Sequence, residues 1–137
     1  MGISTGNFPN VDVLRKALPA EAAAAGGEYS IGVVEYAGVV SEVRYIPEAA
    51  ITGVATNNKS INIRNRGTDG AGALLPATTT FAAGTNGVAF DFLNLTLIAT
   101  LASRDVAAGS VLTVQTLVNG TGLALPAGTI EVEVTRD

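Results

Sequence analysis

The chain has 137 residues, 12 acidic and 8 basic side chains, a formal net charge of −4, and no histidine, cysteine or tryptophan. That inventory lacks the commonest proton-transfer group near neutral pH, the readiest thiol nucleophile and the two main zinc ligands, and its acidic balance repels a nucleic-acid backbone. Charged residues are 15% of the chain against roughly 25% in ordinary soluble domains, so part of an uncharged surface is expected to be covered by copies of the chain or by a partner.

Hydrophobic residues make up 47% but aromatics only 5%, which suits thin sheets packed face to face more than a deep ligand cavity. The length fits one domain able to bury a core without disulfides or a metal. Met1 to Asn10 has no basic or apolar stretch of a secretory signal, and Gly6 stands where a myristoylation pattern wants Ser or Thr. No run approaches the roughly 18 apolar residues of a membrane span, and no membrane partner is expected. The absence of thiols leaves the redox compartment open.

In chain order, Pro9-Asn10 reads as a helix start, and Val11, Leu14 and Leu18 at i, i+3 and i+7 form a narrow apolar stripe. Pro19 interrupts it, Ala20 to Ala25 resumes as a turn or two, and Gly26-Gly27 is a stop and flexible joint. Residues 1–27 are thus expected to be a helical or extended arm. It either packs on the domain's own sheet or docks on a neighbouring subunit, and its deletion is expected to leave a folded domain.

From residue 28 to 137 the period is two. Strands are predicted over Glu28–Tyr36 and Val39–Ile46, joined at Ala37-Gly38. Ser60–Arg64 follows, with Ile61 and Ile63 buried and Asn62 and Arg64 outside, and then the Thr68–Gly72 loop. Further strands are predicted over Thr78–Phe81, Val88–Phe92, Asn94–Ala99, Val111–Val118 and Thr129–Thr135. In the last, Ile130, Val132 and Val134 point inward and Glu131, Glu133 and Thr135 face water. Ala83-Gly84, Ala108-Gly109 and Ala127-Gly128 precede strands, and Asn86-Gly87 and Asn119-Gly120 supply turns. The pattern predicts an all-β fold, an antiparallel sandwich or jelly roll.

Paired carboxylates are the catalytic option this composition leaves open, with Asp91, Asp105, Glu42, Glu48 and the Glu131/Glu133 pair as candidates. Glu131 and Glu133 lie two apart on one strand and are read as a solubilising outer face. Thr68–Gly72 offers one carboxylate where calcium wants several oxygen ligands, and it lacks the Gly-Lys-Ser/Thr of a phosphate cradle. Lys59, Arg64 and Arg66 form the one basic concentration, read as a solvated edge or as a rim for an acidic partner patch. Three Asn-X-Ser/Thr triplets, beginning at Asn58, Asn94 and Asn119, are read as chance. No cofactor or metal is expected.

The run Val43-Arg44-Tyr45-Ile46-Pro47-Glu48-Ala49-Ala50, then Ile51-Thr52-Gly53, Thr56-Asn57-Asn58 and Arg64 to Gly70, resembles small structural proteins of tailed-phage heads. Ala107 to Leu112 followed by Asn119 to Gly128 is similar too. The resemblance covers roughly Val39 to Thr135 and rests on turn residues. It implies a head decoration or cement protein, a β-rich module on the outer capsid that clamps major capsid protein subunits, often as a homotrimer.

The expectation is therefore a non-enzymatic virion protein, made in the host cytoplasm and bound to the major capsid protein shell. Val11, Leu14 and Leu18 would dock the arm, with Arg64 and Arg66 as a polar rim. The rivals are a carbohydrate- or receptor-binding module, disfavoured because several of the few aromatics sit on core-like positions, and a tail or baseplate subunit.

Overall fold

The structure, a computed structural model, describes residues 10–137. Pro9 and the Met1–Gly6 pattern lie outside the described residues. Ten strands follow in order: β1 Val11–Leu18, β2 Gly27–Val33, β3 Gly38–Pro47, β4 Asn58–Asn65, β5 Leu74–Thr80, β6 Leu93–Asn94, β7 Thr96–Leu97, β8 Asp105–Val106, β9 Val111–Asn119 and β10 Gly128–Arg136. One 3₁₀ turn spans Leu101–Ser103, and the described residues contain no α-helix.

Two antiparallel sheets face each other. The first runs β1-β10-β3-β6, with β8 also pairing β3, and the second runs β2-β9-β4-β5-β7. The two earliest strands pair the two latest in reverse order, β1 with β10 and β2 with β9, and β3 and β4 then close on the other sides of β10 and β9. A long ribbon folded back over itself in this way is a jelly roll, one of the two forms predicted.

Side-chain alternation places the core between the sheets. Val40, Val43, Tyr45, Ile130, Val132 and Val134 meet Ile61, Ile63, Ala77, Leu112 and Val114, all buried. Tyr45 and Phe81 pack edge to face at 6.1 Å between ring centres. In β3 the inward residues change phase: Val40 faces Val134 and Val43 faces Val132, with a bulge at Ser41-Glu42. That extra residue explains why two consecutive side chains stay half-buried before alternation resumes.

Five predicted elements are corrected. Val11–Leu18 is a strand paired without interruption to β10 from Val11 opposite Thr135 to Leu18 opposite Gly128, so of the two forms expected it takes the extended one, as part of the sheet, and not the helical one. Apolar residues three and seven apart fit one helix face, but the vacant edge of β10 offers eight residues of backbone pairing that a lone helix of two turns lacks. Ala20–Ala25 is not helical either. The strand over Glu28–Tyr36 ends at Val33, and residues 34–37 cross from one sheet to the other.

Val88–Phe92 is a turn rather than a strand. Asn94–Ala99 is split: β6 joins the first sheet and β7 the second, and between them the N–H of buried Leu95 donates to Val43 O at 2.9 Å.

The connections gather at two ends. Residues 19–26, 48–57, 81–92 and 120–127 share one, tied by bridges of Glu21 with Leu125 and Ile51 with Gly87, and by Thr121 N donating to Asn57 Oδ1. Residues 34–37, 66–73 and 98–110 form the other, where Gly109 N donates to Val34 O and Val111 N to Gly67 O. Close approach explains two of the glycines at the first end. A Cβ on Gly53 would lie 1.9 Å from Ala82 O, and one on Gly122, at φ +85°, would lie 1.8 Å from Ala23 O.

Candidate functional site

Lys59 and Glu21 are the polar pair that alternation alone does not reveal. Lys59 lies in phase with Ile61 and Ile63, on the inner face of β4, and is fully buried. Its ammonium donates to Glu21 Oε1 at 3.2 Å, Ala22 O at 2.9 Å and Ala25 O at 2.6 Å, so all three protons are used. Glu21 Oε2 accepts from Tyr29 OH at 2.9 Å and Thr116 Oγ1 at 2.8 Å. The carboxylate's hydrogen bond, followed by burial, raises the Tyr29 pKa above its usual value. This closed network fixes the 19–26 segment across the end of the sandwich; Lys59 is therefore no part of an exposed basic edge.

The outer face of the second sheet is a polar lattice. Ser60 and Thr80 share a hydrogen bond of 2.6 Å, Asn119 Nδ2 donates to Asn58 Oδ1 at 2.8 Å and Ser60 Oγ at 3.0 Å, and Asn62 and Arg64 both donate to Gln115 Oε1. Asn62 is outward as predicted but only 6% exposed, because Thr78 and Gln115 close over it. Arg66 forks onto Glu28, Nε to Oε2 at 2.7 Å and Nη2 to Oε1 at 2.5 Å. That hydrogen-bonded arginine lowers the Glu28 carboxyl from 4.5 to about 2, against an opposing desolvation and with help from the Thr113 hydroxyl.

On the outer face of the first sheet, Arg15, Glu131 and Arg44 stand opposite one another across β1, β10 and β3. Arg15 Nε donates to Glu131 Oε2 at 2.7 Å, and Arg44 bridges Glu42 at 2.5 Å and Glu131 at 3.8 Å. Glu42 and Glu131 are thereby engaged by arginines. Of the other carboxylates considered, Glu133 is half-buried on the same strand as Glu131, and Glu48, Asp91 and Asp105 are dispersed and exposed. Asp69 Oδ1 accepts from Ala71 N at 3.0 Å, which makes Thr68–Gly72 a side-chain-capped turn. Among the described residues no group of three or more Asp, Glu, His or Cys is placed to hold a metal ion.

The residues expected to bind a partner are distributed. Leu18 is in the core, Leu14 packs against the core from the edge, and Val11 lies on the opposite, outer face of β1, so the three form no common stripe. Arg64 and Arg66 share the polar outer side of the second sheet, with Arg66 held by Glu28.

The largest unpredicted feature is the turn after β5. Val88 is 62% exposed, Phe90 76% and Phe92 52%. Phe90 holds φ +58°, the one non-glycine with positive φ among the described residues, fixed by its N–H donating to Pro47 O at 2.8 Å. A bulky residue in that region is strained. Phe92 lies with its ring 5.3 Å from the Arg44 guanidinium carbon. The Val-Ala-Phe-Asp-Phe alternation mimics a half-buried strand; the signal against it is Asn86-Gly87 before and only Leu93 after, too little for two turns and a strand.

The fold is thus an antiparallel β-sandwich of jelly-roll topology with a clamped, aromatic-tipped end. In comparisons with known proteins, no family model and no curated sequence matches this chain.

Proposed function

We propose that the chain is a non-enzymatic structural protein of a tailed-phage virion that decorates the outer capsid and stabilises it by binding the major capsid protein. One observation carries the reading: a phenylalanine 76% exposed and held at φ +58°. Exposing a large ring and straining its backbone both cost stability, which a chain retains where the ring inserts into a partner. The jelly roll supports the capsid as that partner by analogy, since the topology recurs in viral capsid domains, and the head-protein resemblance points the same way. The resemblance adds self-association, as a trimer, to the reading.

Phe90→Gly separates binding from folding. It relieves about 1 kcal/mol of left-handed backbone strain and removes little packing, so the variant keeps or gains thermal stability. It is expected to lose at least about tenfold in affinity for empty capsids in co-sedimentation. Unchanged co-sedimentation refutes the anchor, and failure of the wild-type chain to bind any shell refutes the capsid reading.

A second reading has its own observation. Phe90 and Phe92, in one turn, are both more than half exposed, and flat exposed rings suit sugar stacking in a receptor-binding module. Reproducible glycan-array binding abolished by Phe90→Gly would favour it.

A further inference from the structure

We infer that β1 is a self-pairing edge through which two copies of this chain join their first sheets into one continuous sheet about a two-fold axis at Leu14. Arg136 N donates to Asn10 O at 2.7 Å, which sets the phase of the β1–β10 ladder. Asp12, Leu14, Lys16 and Leu18 therefore turn their backbone groups toward β10. Val11, Val13, Arg15 and Ala17 turn theirs away. Among the described residues no strand pairs that side of β1.

An edge of this kind is normally blunted by a proline, a bulge, shortness or charged side chains. β1 has no proline and no bulge over its eight residues, and of its three charges Arg15 is held by Glu131 and Asp12 by Arg136, while Lys16 is left for a paired copy to match. Its four outward residues are symmetric about Leu14. An antiparallel copy centred there pairs Val11 with the partner's Ala17 and Val13 with the partner's Arg15, so all eight outward N–H and C=O groups are used. Moving the centre to Val13 leaves Ala17 without a partner in the strand, and moving it to Arg15 sets two guanidinium groups against each other.

Side chains select the same register. With Leu14 on the axis, Asp12 falls opposite the partner's Lys16, and the symmetric pair repeats it, placing opposite charges face to face twice. Lys16 is in no ion pair among the described residues, whereas Asp12 already meets Arg136 at 2.9 Å. Leu14 meets its own copy beside a cleft of about 230 Å³ that Val33, 53% exposed, also lines. The pairing would cover both. It does not depend on the capsid reading, and it gives a dimer where the resemblance implies a trimer.

The full chain is expected to run at twice 13.8 kDa in light scattering. Lys16→Glu, which sets two carboxylates against each other, should weaken dimerisation about tenfold or more, while Lys16→Arg should keep it. The native chain has no cysteine, so an introduced thiol reports its own position. Leu14→Cys is expected to cross-link under mild oxidation across a Cα separation of about 4.5 Å, and Ala17→Cys, about 20 Å from its mate, is not. Should Leu14→Cys fold poorly, Val13→Cys chains mixed with Arg15→Cys chains test the same register at exposed positions. A monomer, a trimer, or equal cross-linking at positions 14 and 17 overturns the inference.

Discussion

Lys59→Met tests whether the buried clamp holds the first end of the sandwich. The substitution keeps the length and apolar stem of the side chain and removes three donated hydrogen bonds, to Glu21, Ala22 and Ala25. Lys59 is 0% exposed and the Glu21 side chain 7%, so water does not replace the ammonium. Removing one member of a buried pair costs about 3–5 kcal/mol, mostly because the other charge stays buried without its counter-ion. The remaining donors, Tyr29 and Thr116, moderate that for Glu21, and Ala22 O keeps the Ala25 N–H at 3.1 Å, while Ala25 O loses the ammonium. About 4 kcal/mol is a large share of the 5–15 kcal/mol that holds a domain together. For a chain of this size it lowers Tm by about 12–20 °C, read by circular dichroism and by the urea midpoint at unchanged slope. Adding Glu21→Leu removes the stranded charge but still leaves the Ala25 carbonyl and the Tyr29 hydroxyl without the partners they have here, so the double variant recovers only part of the loss. A loss below about 1 kcal/mol for Lys59→Met would match a solvent-exposed pair and refute the clamp.

Acid stability depends in part on Glu28. Its carboxyl is at about 2 when folded against 4.5 ordinarily, so the unfolded chain takes up the extra proton and stability falls as pH drops from about 4.5 to 2; Glu28→Gln should flatten that part of the urea-midpoint profile. Tyr45, 1% exposed, is pushed up to about 12 chiefly by burial, so phenolate absorbance should show a late-ionising component that Tyr45→Phe reduces, and stability should fall as pH rises from about 10 to 12, a slope that the same substitution lessens while Tyr29, also raised, keeps its share. Truncation to begin at Gly27 strips β1 from β10, exposes Ile130, Val132 and Val134, and deletes Leu18 and Glu21; the shortened chain should lose its cooperative transition, where an independent arm would leave it intact.

Period-two patterning identified the long strands because each presents one face to the core. Ile130, Val132 and Val134 in β10, and Ile61 and Ile63 in β4, are fully buried as the alternation predicts. It missed β1 because Val11, Leu14 and Leu18 straddle both faces of a strand whose inward positions also carry Asp12 and Lys16, and an edge strand tolerates such charges. Lys59 was illegible for a related reason. A lysine in a polar turn reads as solvated, and only its parity with Ile61 and Ile63 hints that it points inward. Nothing local in Ala20–Ala25 announces that two of its carbonyls wait for an ammonium brought by a strand 34 and 37 residues further along. The Val88–Phe92 turn was misread because its alternation is real but faces solvent.

The clamp and the aromatic turn are mechanically joined. Phe81 N donates to Lys59 O at 3.0 Å, and Phe81 O accepts from Val54 N at 3.0 Å, so the buried lysine's own backbone anchors the residue from which the 81–92 connection departs. The same connection is pinned further along by Ile51 pairing with Gly87 and by Pro47 O receiving Phe90 N–H. A strained residue keeps its conformation only where the surroundings over-determine it. These bonds hold Phe90 out in solvent, and the network around Glu21 and Lys59 supplies the rigidity beneath them. Loosening the clamp should therefore reach the tip: in Lys59→Met, amide exchange is expected to speed up at Val54, Phe81, Gly87 and Phe90 before it does in β10, whose protection comes from pairing with both β1 and β3. Uniform acceleration throughout the sandwich would show instead that the end and the sheets open as one unit.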